Sequence, residues 1–557
     1  MSIGKALNKK LCFLFCSIAS LAIAQPPFFM LRLRAPETDD ERTWEETRAA
    51  IAAHPGCCDE VWFSTGIEFP PIDVHRARAA KQRKAAADCR AMGVQPGLQI
   101  MATLGHGDHA AGDNAPPLAW GAFTGEGGVA CKWCGCPRQK ALLDYFEEVG
   151  RIYGAWQPSS VWLDDDLRIS NHRPATDKTR FPGCWCETCL ADFSTREGRT
   201  WTRESLRAAM ASDAALAARW RSFAFDSIAE VARRIAVGVH AVSPQTRMGY
   251  QHAYEKSGLQ TKVYRAMADA TGLPVRSRPG AGAYYDHDPY EQLSKAYHLA
   301  RQRATLGEAP YIEQCCPEIE SWPRKFSNRT PRGVLLEAFE NLALGMDSVS
   351  MLITDSRFES MDWYGRTFFK ALAANRAMLK GFADLCRGTR PAGLFAGDRN
   401  PVRTESTGGI PLVNNNRVVR LGDYAEFVSR NGGKGIAALS ASSSELLAWA
   451  VLADEATGGR MPVVPLDAVQ AWVMPRVKPD GTLVAVAMVN TTIGESAPTH
   501  FLLRGVSATC RVATWHALDA RPVSCPLVRE DGKTVVTVPP LGGWSAGWLG
   551  FTDGAEK

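Results

Sequence analysis

The stretch Val161-Trp162-Leu163-Asp164-Asp165-Asp166-Leu167-Arg168 passes directly from apolar residues into three consecutive carboxylates. A short apolar run bounded by polar residues is typical of a strand that is buried on both faces in a parallel sheet. Residues 160–165 are therefore predicted to form such a strand. Side chains that follow it would lie at the carboxyl edge of the sheet, where parallel α/β folds place their active sites.

Seven other β-rich runs lie on either side of this one and alternate with amphipathic helical patterns, as at residues 139–153 and 290–305. In chain order the eight runs cover residues 28–34, 60–65, 95–102, 160–165, 247–252, 274–278, 311–316 and 348–353. Eight successive βα units predict an α/β fold of the (β/α)8 or TIM-barrel type over residues 25–386.

The pattern changes in the last third of the chain. Residues 387–470 contain an irregular segment rich in Gly, Ser and Asn, and they are predicted to form a small α/β domain. In residues 471–557 short runs alternate apolar with polar positions between turn signals, which predicts a C-terminal antiparallel β-sandwich. A chain of 557 residues exceeds what one hydrophobic core usually organises, in line with several domains.

The N-terminus predicts export. Residues 1–24 combine a lysine-containing start, an apolar run and the small-x-small site Ala22-Ile23-Ala24, which is the pattern of a cleavable signal peptide. A membrane anchor or a buried first helix is the alternative, but the apolar run is short for a span. We expect a secreted or periplasmic protein without membrane association after cleavage. The net charge of +5, with no basic block, argues against a nucleic-acid partner.

Two groups of closely spaced cysteines point to a metal. They are Cys131, Cys134 and Cys136 in the first group, and Cys184, Cys186 and Cys189 in the second. Three thiols from the second group and one from the first would make a closed tetrahedral site of the kind that holds structural zinc. Disulfides or reduced buried cysteines are the alternatives.

The carboxylates after the fourth and seventh strands are the candidate catalysts. Crowding of three aspartates raises the pKa of at least one of them, as a general acid requires. Glu313, Glu318 and Glu320 belong to the seventh strand or follow it. Two carboxyl groups facing each other across a barrel mouth are the minimum equipment for glycoside hydrolysis with retention. Either Glu318 or Glu313 is predicted as the nucleophile. The alternative for the aspartates is a solvated turn paired with Arg168.

Polar and aromatic residues near these strand ends are predicted to bind sugar hydroxyl groups and ring faces. They are Asp165, Arg168, His106, His252, Tyr254, Tyr285, Glu320 and Trp363. His106 and His109 also allow a second interpretation, in which they bind a catalytic metal together with the aspartates.

These residues together resemble glycoside hydrolase family 42, the β-galactosidases of a retaining barrel clan, over roughly residues 28–385. In that family a cysteine before the fourth strand joins a C-x-C-x-x-C loop to hold zinc. The resemblance implies that Cys136, Cys184, Cys186 and Cys189 are the ligands, with Cys131 or Cys134 as alternatives to Cys136. It also implies a barrel followed by a small α/β domain and a β-sandwich.

The chain departs from the family at the fourth strand. The family has Asp-Asn-Glu there, with Glu as the acid/base, where this chain has three aspartates. By this alignment Asp166 takes the acid/base position. Ile312-Glu313-Gln314 is similar to the family's Met-Glu-Gln. The predicted middle domain is shorter than the family's, which is at odds with that family's trimer, and a homo-oligomer stays open.

The sequence thus predicts an exported, exo-acting, retaining glycoside hydrolase with a carbohydrate substrate and structural zinc. Two rivals remain. One is an inactive carbohydrate-binding barrel, which the loss of Glu at the acid/base position would permit. The other is a metal-dependent hydrolase built on Asp164, Asp165, Asp166 and the two histidines.

Overall fold

A computed structural model describes most of the chain. The described residues are 26–106, 118–168, 180–253, 258–287, 289–306, 309–322, 328–392, 454, 459–467, 471–490 and 492–551. The predicted signal peptide, Tyr254 and His109 lie outside these ranges, as do residues 393–453 of the predicted middle domain.

The N-terminal part of the chain alternates strands with helices. Its strands are β1 (Phe29–Arg32), β2 (Glu60–Ser64), β3 (Gln95–Ile100), β4 (Ala122–Thr124), β5 (Ala130–Gly135), β6 (Ser160–Leu163), β7 (Arg247–Ala253), β8 (Val275–Gly280), β9 (Ile312–Cys315), β10 (Glu318–Glu320) and β11 (Val349–Leu352).

The helices pack around these strands. They are α1 (Ala35–Asp39), α2 (Glu41–Ala53), α3 (Ile72–Ala91), α4 (Lys140–Gly154), α5 (Glu187–Glu197), α6 (Arg203–Ser212), α7 (Ala214–His240), α8 (Leu259–Thr271), α9 (Pro289–Thr305), α10 (Pro331–Ala343), α11 (Met361–Tyr364) and α12 (Lys370–Leu385), with a π-helical turn, Gly365–Phe369, before α12. Within the described ranges no helix combines the length and the apolar character that a bilayer span requires.

Nine of the strands form one parallel sheet in the order β9, β8, β7, β6, β3, β2, β1, β11, β10. The two outermost strands, β9 and β10, are separated in the chain only by Cys316 and Pro317. The Cys316 N–H donates to the Ser277 carbonyl of β8, and the Ser321 N–H donates to the Leu352 carbonyl of β11. One stretch of chain therefore joins both ends of the row, an arrangement consistent with a TIM-like barrel.

Inward-facing side chains fill the space enclosed by the sheet. Trp62 and Trp162 stack with ring centroids 4.2 Å apart, and they cluster with Met30 and Cys316. A Cβ on Gly249 would lie 2.3 Å from the Trp162 ring, so only glycine fits beside that indole. This apolar layer separates a polar layer at the amino ends of the strands from another at their carboxyl ends.

The C-terminal part forms a separate antiparallel sheet. Its strands are β12 (Arg390–Pro391), β13 (Val463–Pro465), β14 (Trp472–Val477), β15 (Leu483–Asn490), β16 (Thr499–Leu503), β17 (Val512–Ala517), β18 (Val523–Glu530), β19 (Lys533–Val538) and β20 (Ser545–Phe551). Their order is β12, β14, β15, β20, β17, β18, β19, β16, β13. The first half of β18 pairs with β17 and its second half with β19, which is consistent with a β-sandwich.

One arginine ties the two parts together. Arg476 of β14 is 3% exposed, and its guanidinium donates to the carbonyl groups of Leu342 and Ala343, at the end of α10. It also donates to the carbonyl groups of Cys386 and Thr389, which follow α12. The antiparallel sheet is therefore anchored on helix ends of the parallel unit.

Candidate active site

Asp164 is the central anion at the carboxyl end of the parallel strands. Its carboxylate accepts a hydrogen bond of 3.0 Å from the Gln99 amide and lies 4.0 Å from Arg32 and 3.7 Å from Arg278. Burial alone would raise the pKa of this carboxyl group. The hydrogen bond from His106 and the two guanidinium charges outweigh that effect and lower the pKa to about 2. Asp164 is thus held ionised.

Glu318, the first residue of β10, is a second buried anion. Its carboxylate pairs with Arg278 and accepts a hydrogen bond of 3.1 Å from the Tyr284 hydroxyl. Although burial opposes ionisation, the positive charges of Arg278, Lys295 and Arg32 lower the pKa of Glu318. An ionised carboxylate that is fixed by two partners is suited to act as a nucleophile.

Asp165 has the opposite electrostatic character. Its side chain is 20% exposed and lies 3.5 Å from Arg168. Burial raises the pKa of Asp165, and the negative charges of Asp164 and Glu318 raise it further. The positive charge of Arg168 lowers it, but by less. Glu318 and Asp165 are therefore near enough to affect each other, and their pKa values move apart. Such a divergence separates an acid from a nucleophile.

His106 closes one side of the cluster. Its Nε2 lies 2.6 Å from the Met101 carbonyl oxygen and 3.3 Å from an Asp164 oxygen. Burial lowers the pKa of His106, but the bond to Asp164 and the nearby carboxylates raise it to about 10. These contacts thus favour the protonated form of the ring.

His106, Asp164 and Asp165 also lie close enough together to hold a metal ion. The contacts that they make argue against this interpretation. A carbonyl oxygen only accepts hydrogen bonds, so Nε2 of His106 carries a proton in its contact with Met101 and only Nδ1 would be left for a metal. Two guanidinium groups beside Asp164 would also repel a cation.

Asp166, the residue expected to be the acid/base, is hydrogen-bonded to the loop after β3. It is 0% exposed, and its carboxylate accepts hydrogen bonds from the Thr103 hydroxyl at 2.5 Å and from the Thr103 and Gly105 N–H groups at 2.7 Å. Burial raises its pKa to about 6, a value that suits a general acid. Geometry takes precedence, however, because a general acid must reach the departing oxygen. Asp166 instead fixes the loop after β3.

Glu313 lies at the opposite end of the strands, so it does not fit the alternative nucleophile. It is the second residue of β9 and pairs with Arg276 at 2.9 Å and with Arg247 at 3.2 Å. Arg276 also pairs with Glu60, at the start of β2. Glu313 lines a cavity of about 640 Å³ among residues at the amino ends of the strands, away from Glu318.

The other predicted sugar-binding residues divide into two groups. Glu320 lies at the mouth, 3.5 Å from Arg32, and Arg168 pairs with Asp165. His252 is buried against the rings of Tyr250 and Tyr264, on the helix side of β7.

Tyr285 stacks on His287 and donates to Glu291, whereas Trp363 packs on Tyr364 and Phe368. The structure thus brings Glu320 and Arg168 to the carboxylates. The contacts of His252, Tyr285 and Trp363 are with other side chains.

The two arginines that organise the cluster were not predicted. Arg32 ends β1 and Arg278 lies in β8, and both are at most 2% exposed. The sequence contained a signal for buried arginines, since Arg276 and Arg278 occupy alternate positions of a strand that was predicted to be buried. Buried cations of this kind require carboxylate partners.

The four cysteines Cys136, Cys184, Cys186 and Cys189 form a compact group. Their sulfur atoms all lie within 4.8 Å of one another, with Cys136 3.5 Å from Cys189 and 3.4 Å from Cys186. These separations exceed the length of about 2.05 Å of a disulfide. They approach the edge of about 3.8 Å expected for four sulfurs 2.3 Å from a zinc ion. The group can hold a metal ion.

Neither Cys131 nor Cys134 belongs to this group, although both are buried nearby. Cys134 lies 3.7 Å from the Gly105 carbonyl oxygen. The cysteines of the described residues are all free, so the disulfide alternative finds no support there.

No protein-family model and no curated protein matches the chain. Solved structures do match its fold. An α-L-fucosidase isoenzyme from Paenibacillus thiaminolyticus is 11% identical with a TM-score of 0.52, covering 94% of this chain and 100% of that chain.

Two β-galactosidases are similarly distant. The enzyme from Rahnella sp. R3 is 10% identical with a TM-score of 0.52, covering 92% of this chain and 98% of that chain. The enzyme from the psychrophilic Marinomonas ef1 is 8% identical with a TM-score of 0.51, covering 94% and 100%. At these identities the likeness shows a shared glycoside-hydrolase-like fold and does not single out family 42.

Proposed function

We propose that this chain is a glycoside hydrolase whose active site lies at the carboxyl end of its parallel strands. The observation that carries the proposal is the pair Asp165 and Glu318, together with the guanidinium of Arg278. The pKa of Glu318 is lowered and that of Asp165 is raised. The names of the structures with the same fold, a fucosidase and two β-galactosidases, agree with this chemistry.

The proposed reaction proceeds with retention. The Glu318 carboxylate attacks the anomeric carbon while Asp165 donates its proton to the departing glycosidic oxygen, giving a glycosyl ester and an alcohol. Asp165, now ionised, accepts a proton from water, and the hydroxide oxygen displaces Glu318 from the same carbon. Arg278 and Tyr284 hold Glu318 in position throughout.

The finer parts of the proposal rest on the sequence. The resemblance to β-galactosidases of family 42 favours an exo-acting enzyme on a closed eight-stranded barrel with three domains. The N-terminal pattern favours export, to the periplasm or the exterior. The substrate is then an oligosaccharide or polysaccharide outside the cytoplasm.

We further propose that Cys136, Cys184, Cys186 and Cys189 hold a structural zinc ion. Four thiolates satisfy zinc completely and leave no open position, so the ion would brace loops. Cys136 follows β5, whose Gly135 N–H donates to the Leu104 carbonyl. The four cysteines therefore support the same loop that holds Asp166.

Substitution of the two carboxylates tests the proposal. With aryl glycosides, Asp165→Ala should slow substrates with poor leaving groups by about 10²–10⁴-fold, because these need a proton. It should affect activated dinitrophenyl glycosides much less, and azide should partly restore the rate. Glu318→Ala should abolish the hydrolysis of both kinds, because it removes the covalent route.

Two matched variants serve as controls. Asp166→Asn changes the carboxylate next to Asp165, and Glu313→Gln changes the carboxylate of β9 at the amino end of the strands. Neither variant should show the dependence on leaving group. If Asp166→Asn shows it and Asp165→Ala does not, the acid role returns to Asp166. A wild-type protein that binds sugars but cleaves no glycoside would favour the carbohydrate-binding rival.

A further inference from the structure

Gln251 of β7 is a buried polar residue without a described partner. Its side chain is 0% exposed, and neither its amide oxygen nor its amide nitrogen has a hydrogen-bond partner among the residues that the structure describes. The Nε of Arg278 is in the same condition. Leaving such groups unpaired costs free energy, and buried polar groups of folded proteins almost always have a partner.

The register of the sheet locates Gln251. Successive side chains of a strand point to opposite faces, and Gly249, two residues earlier, faces the Trp162 ring inside the sheet. Gln251 therefore faces the interior as well, one layer nearer the carboxyl end. Its Cα is paired with that of Arg278 in β8.

The neighbouring strand on the other side is β6. Leu163 of β6 pairs with Tyr250, and the acidic residues Asp164 and Asp165 follow directly. Gln251 thus lies between the strand that carries Asp165 and the strand whose Arg278 holds Glu318. By this register Gln251 lies in the same layer as Asp164 and Arg278, and we call this layer the floor of the site.

We propose that Gln251 is a substrate-binding residue that, with Nε of Arg278, binds a hydroxyl group of the sugar ring cleaved by this site. An amide accepts the hydroxyl proton through its oxygen and donates to the hydroxyl oxygen through its nitrogen, and the guanidinium N–H donates as well. A neutral hydroxyl group is the ligand that satisfies all three.

The charges of the site favour a neutral sugar over an acidic one. Arg32 already pairs with Asp164 and Glu320, and Arg278 with Asp164 and Glu318. A substrate carboxylate would add an anion where the cations are already matched. The ligand class is therefore a neutral glycoside with a hydroxyl group directed toward the floor.

This inference rests on the proposed function, and its test keeps the two apart. Hydrolysis is measured for one neutral aryl glycoside that the wild-type protein cleaves and for its series of single-deoxy analogues. The variants are Gln251→Leu and the control Gln314→Leu. Gln314 is also a buried strand glutamine, but its amide donates to the Pro27 carbonyl at the amino end of the strands.

We expect Gln251→Leu to lower kcat/KM for the parent glycoside by about 10- to 100-fold, because it leaves a substrate hydroxyl and Arg278 unpaired. It should lower kcat/KM for one deoxy analogue much less, since that analogue lacks the hydroxyl concerned. Gln314→Leu should leave the ranking of the analogues unchanged.

Stability gives an independent measurement. If Gln251 serves the substrate, Gln251→Leu should unfold at the same temperature as the wild-type protein or higher, because leucine removes an unpaired amide. A marked loss of stability with an unchanged analogue ranking would mean that Gln251 holds a structural water, and it would overturn the inference. Gln251→Met repeats both measurements if the leucine variant does not fold.

The outcomes separate the two proposals. If the wild-type protein cleaves glycosides while Gln251→Leu ranks the analogues as the wild type does, that result refutes the role of Gln251 and leaves the proposed function standing. A wild-type protein that cleaves no glycoside refutes the proposed function and this inference with it.

Discussion

Three consecutive aspartates have three different environments at the end of β6. Asp164 is locked between two arginines, Asp165 is partly exposed, and Asp166 accepts three hydrogen bonds from the loop after β3. The sequence located this acidic group correctly at the end of a strand. It assigned the acid/base position to Asp166 through the family resemblance, and it could not show these three environments, because an offset of one residue reverses the direction of a side chain.

The same limit applies to the seventh strand. Glu313 and Glu318 lie five residues apart, but Cys316 and Pro317 interrupt the strand between them. Glu313 therefore lies in β9, at the amino end of the sheet, and Glu318 lies in β10, at the carboxyl end. A single unbroken strand was expected over residues 311–316. The sequence does not show that residues 312–315 pair with β8 whereas residues 318–320 pair with β11. Pro317 marks a residue that cannot donate a hydrogen bond to a neighbouring strand, but it does not reveal a change of neighbour.

The charge of His106 leads to a prediction about pH. Its pKa in the folded protein, about 10, is above the unfolded value of about 6.5. A raised pKa contributes stability that is fully present below pH 6.5 and is lost as the pH rises through 10. The free energy of unfolding should therefore decline between pH 7 and pH 10, and His106→Gln should decline less.

Denaturant unfolding at several pH values measures this difference. His500→Gln is the matched control, since His500 also contacts a carboxylate, Asp467, but on the surface of the antiparallel sheet. Parallel pH curves for wild-type protein and His106→Gln would contradict the ion pair between His106 and Asp164.

Among the larger elements, all eight predicted β-rich runs coincide with strands of the parallel sheet. The runs were recognisable because parallel strands are apolar on both faces. In the antiparallel sheet strand propensity is a weaker guide, because β14 contains Pro475 and β20 contains Gly547 and Gly550. A Cβ on Gly547 would lie 2.4 Å from the Trp515 ring, so tertiary packing overrides the low strand propensity of glycine.

The hairpin β4–β5 and the loop before α5 are the elements that the metal would join. Purified protein should contain about one zinc ion per chain, and Cys184→Ser should release it, because three thiolates and a hydroxyl bind zinc weakly. Cys131→Ser is the control: Cys131 is equally buried in β5 but outside the group of four, so this variant should retain the metal.

Elemental analysis and native mass spectrometry measure the metal content. Protease sensitivity of the segment around β4–β5 should increase in Cys184→Ser, because loss of the metal would remove the link between Cys136 and the cysteines of the other loop, Cys186 and Cys189. Metal-free wild-type protein, or equal zinc loss from both variants, would remove the proposed site.

At the scale of the whole molecule, the parallel unit and the antiparallel sheet are joined by apolar contacts of two tryptophans and by the hydrogen bonds of one buried arginine. Trp472 of β14 packs on Tyr297 of α9, and Trp548 of β20 packs on Phe382 of α12. Arg476 lies beside these contacts and donates to four carbonyl groups at helix ends. The last carbonyls of a helix lack partners within the helix. The arginine supplies a donor to Ala343 and a second donor to Leu342 and Cys386, whose oxygens also accept from the N–H groups of Gly345 and Thr389.

This arrangement predicts that Arg476→Leu uncouples the two parts. The change relieves the cost of a buried charge, which already lowers the pKa of Arg476. It also removes a donor from four carbonyl groups: those of Leu342 and Cys386 keep the N–H groups of Gly345 and Thr389, whereas those of Ala343 and Thr389 lose the arginine, and this loss is the larger effect. We expect the free energy of unfolding to fall by about 2–4 kcal/mol. Arg529→Leu is the control, because Arg529 is half-buried and donates to the Ser507 and Cys510 carbonyls inside the antiparallel sheet alone.

The shape of the unfolding curve distinguishes uncoupling from a general loss of stability. Wild-type protein and Arg529→Leu should each unfold in one transition if the parts stabilise each other. Arg476→Leu should show two, with the sheet that contains β14 unfolding first, because its anchor on α10 and α12 is lost. Tryptophan fluorescence follows both parts, since Trp62 and Trp162 lie in the parallel unit and Trp515 in the sheet. A single transition for Arg476→Leu, with the same loss as in Arg529→Leu, would mean that the apolar contacts of Trp472 and Trp548 couple the two parts without the arginine.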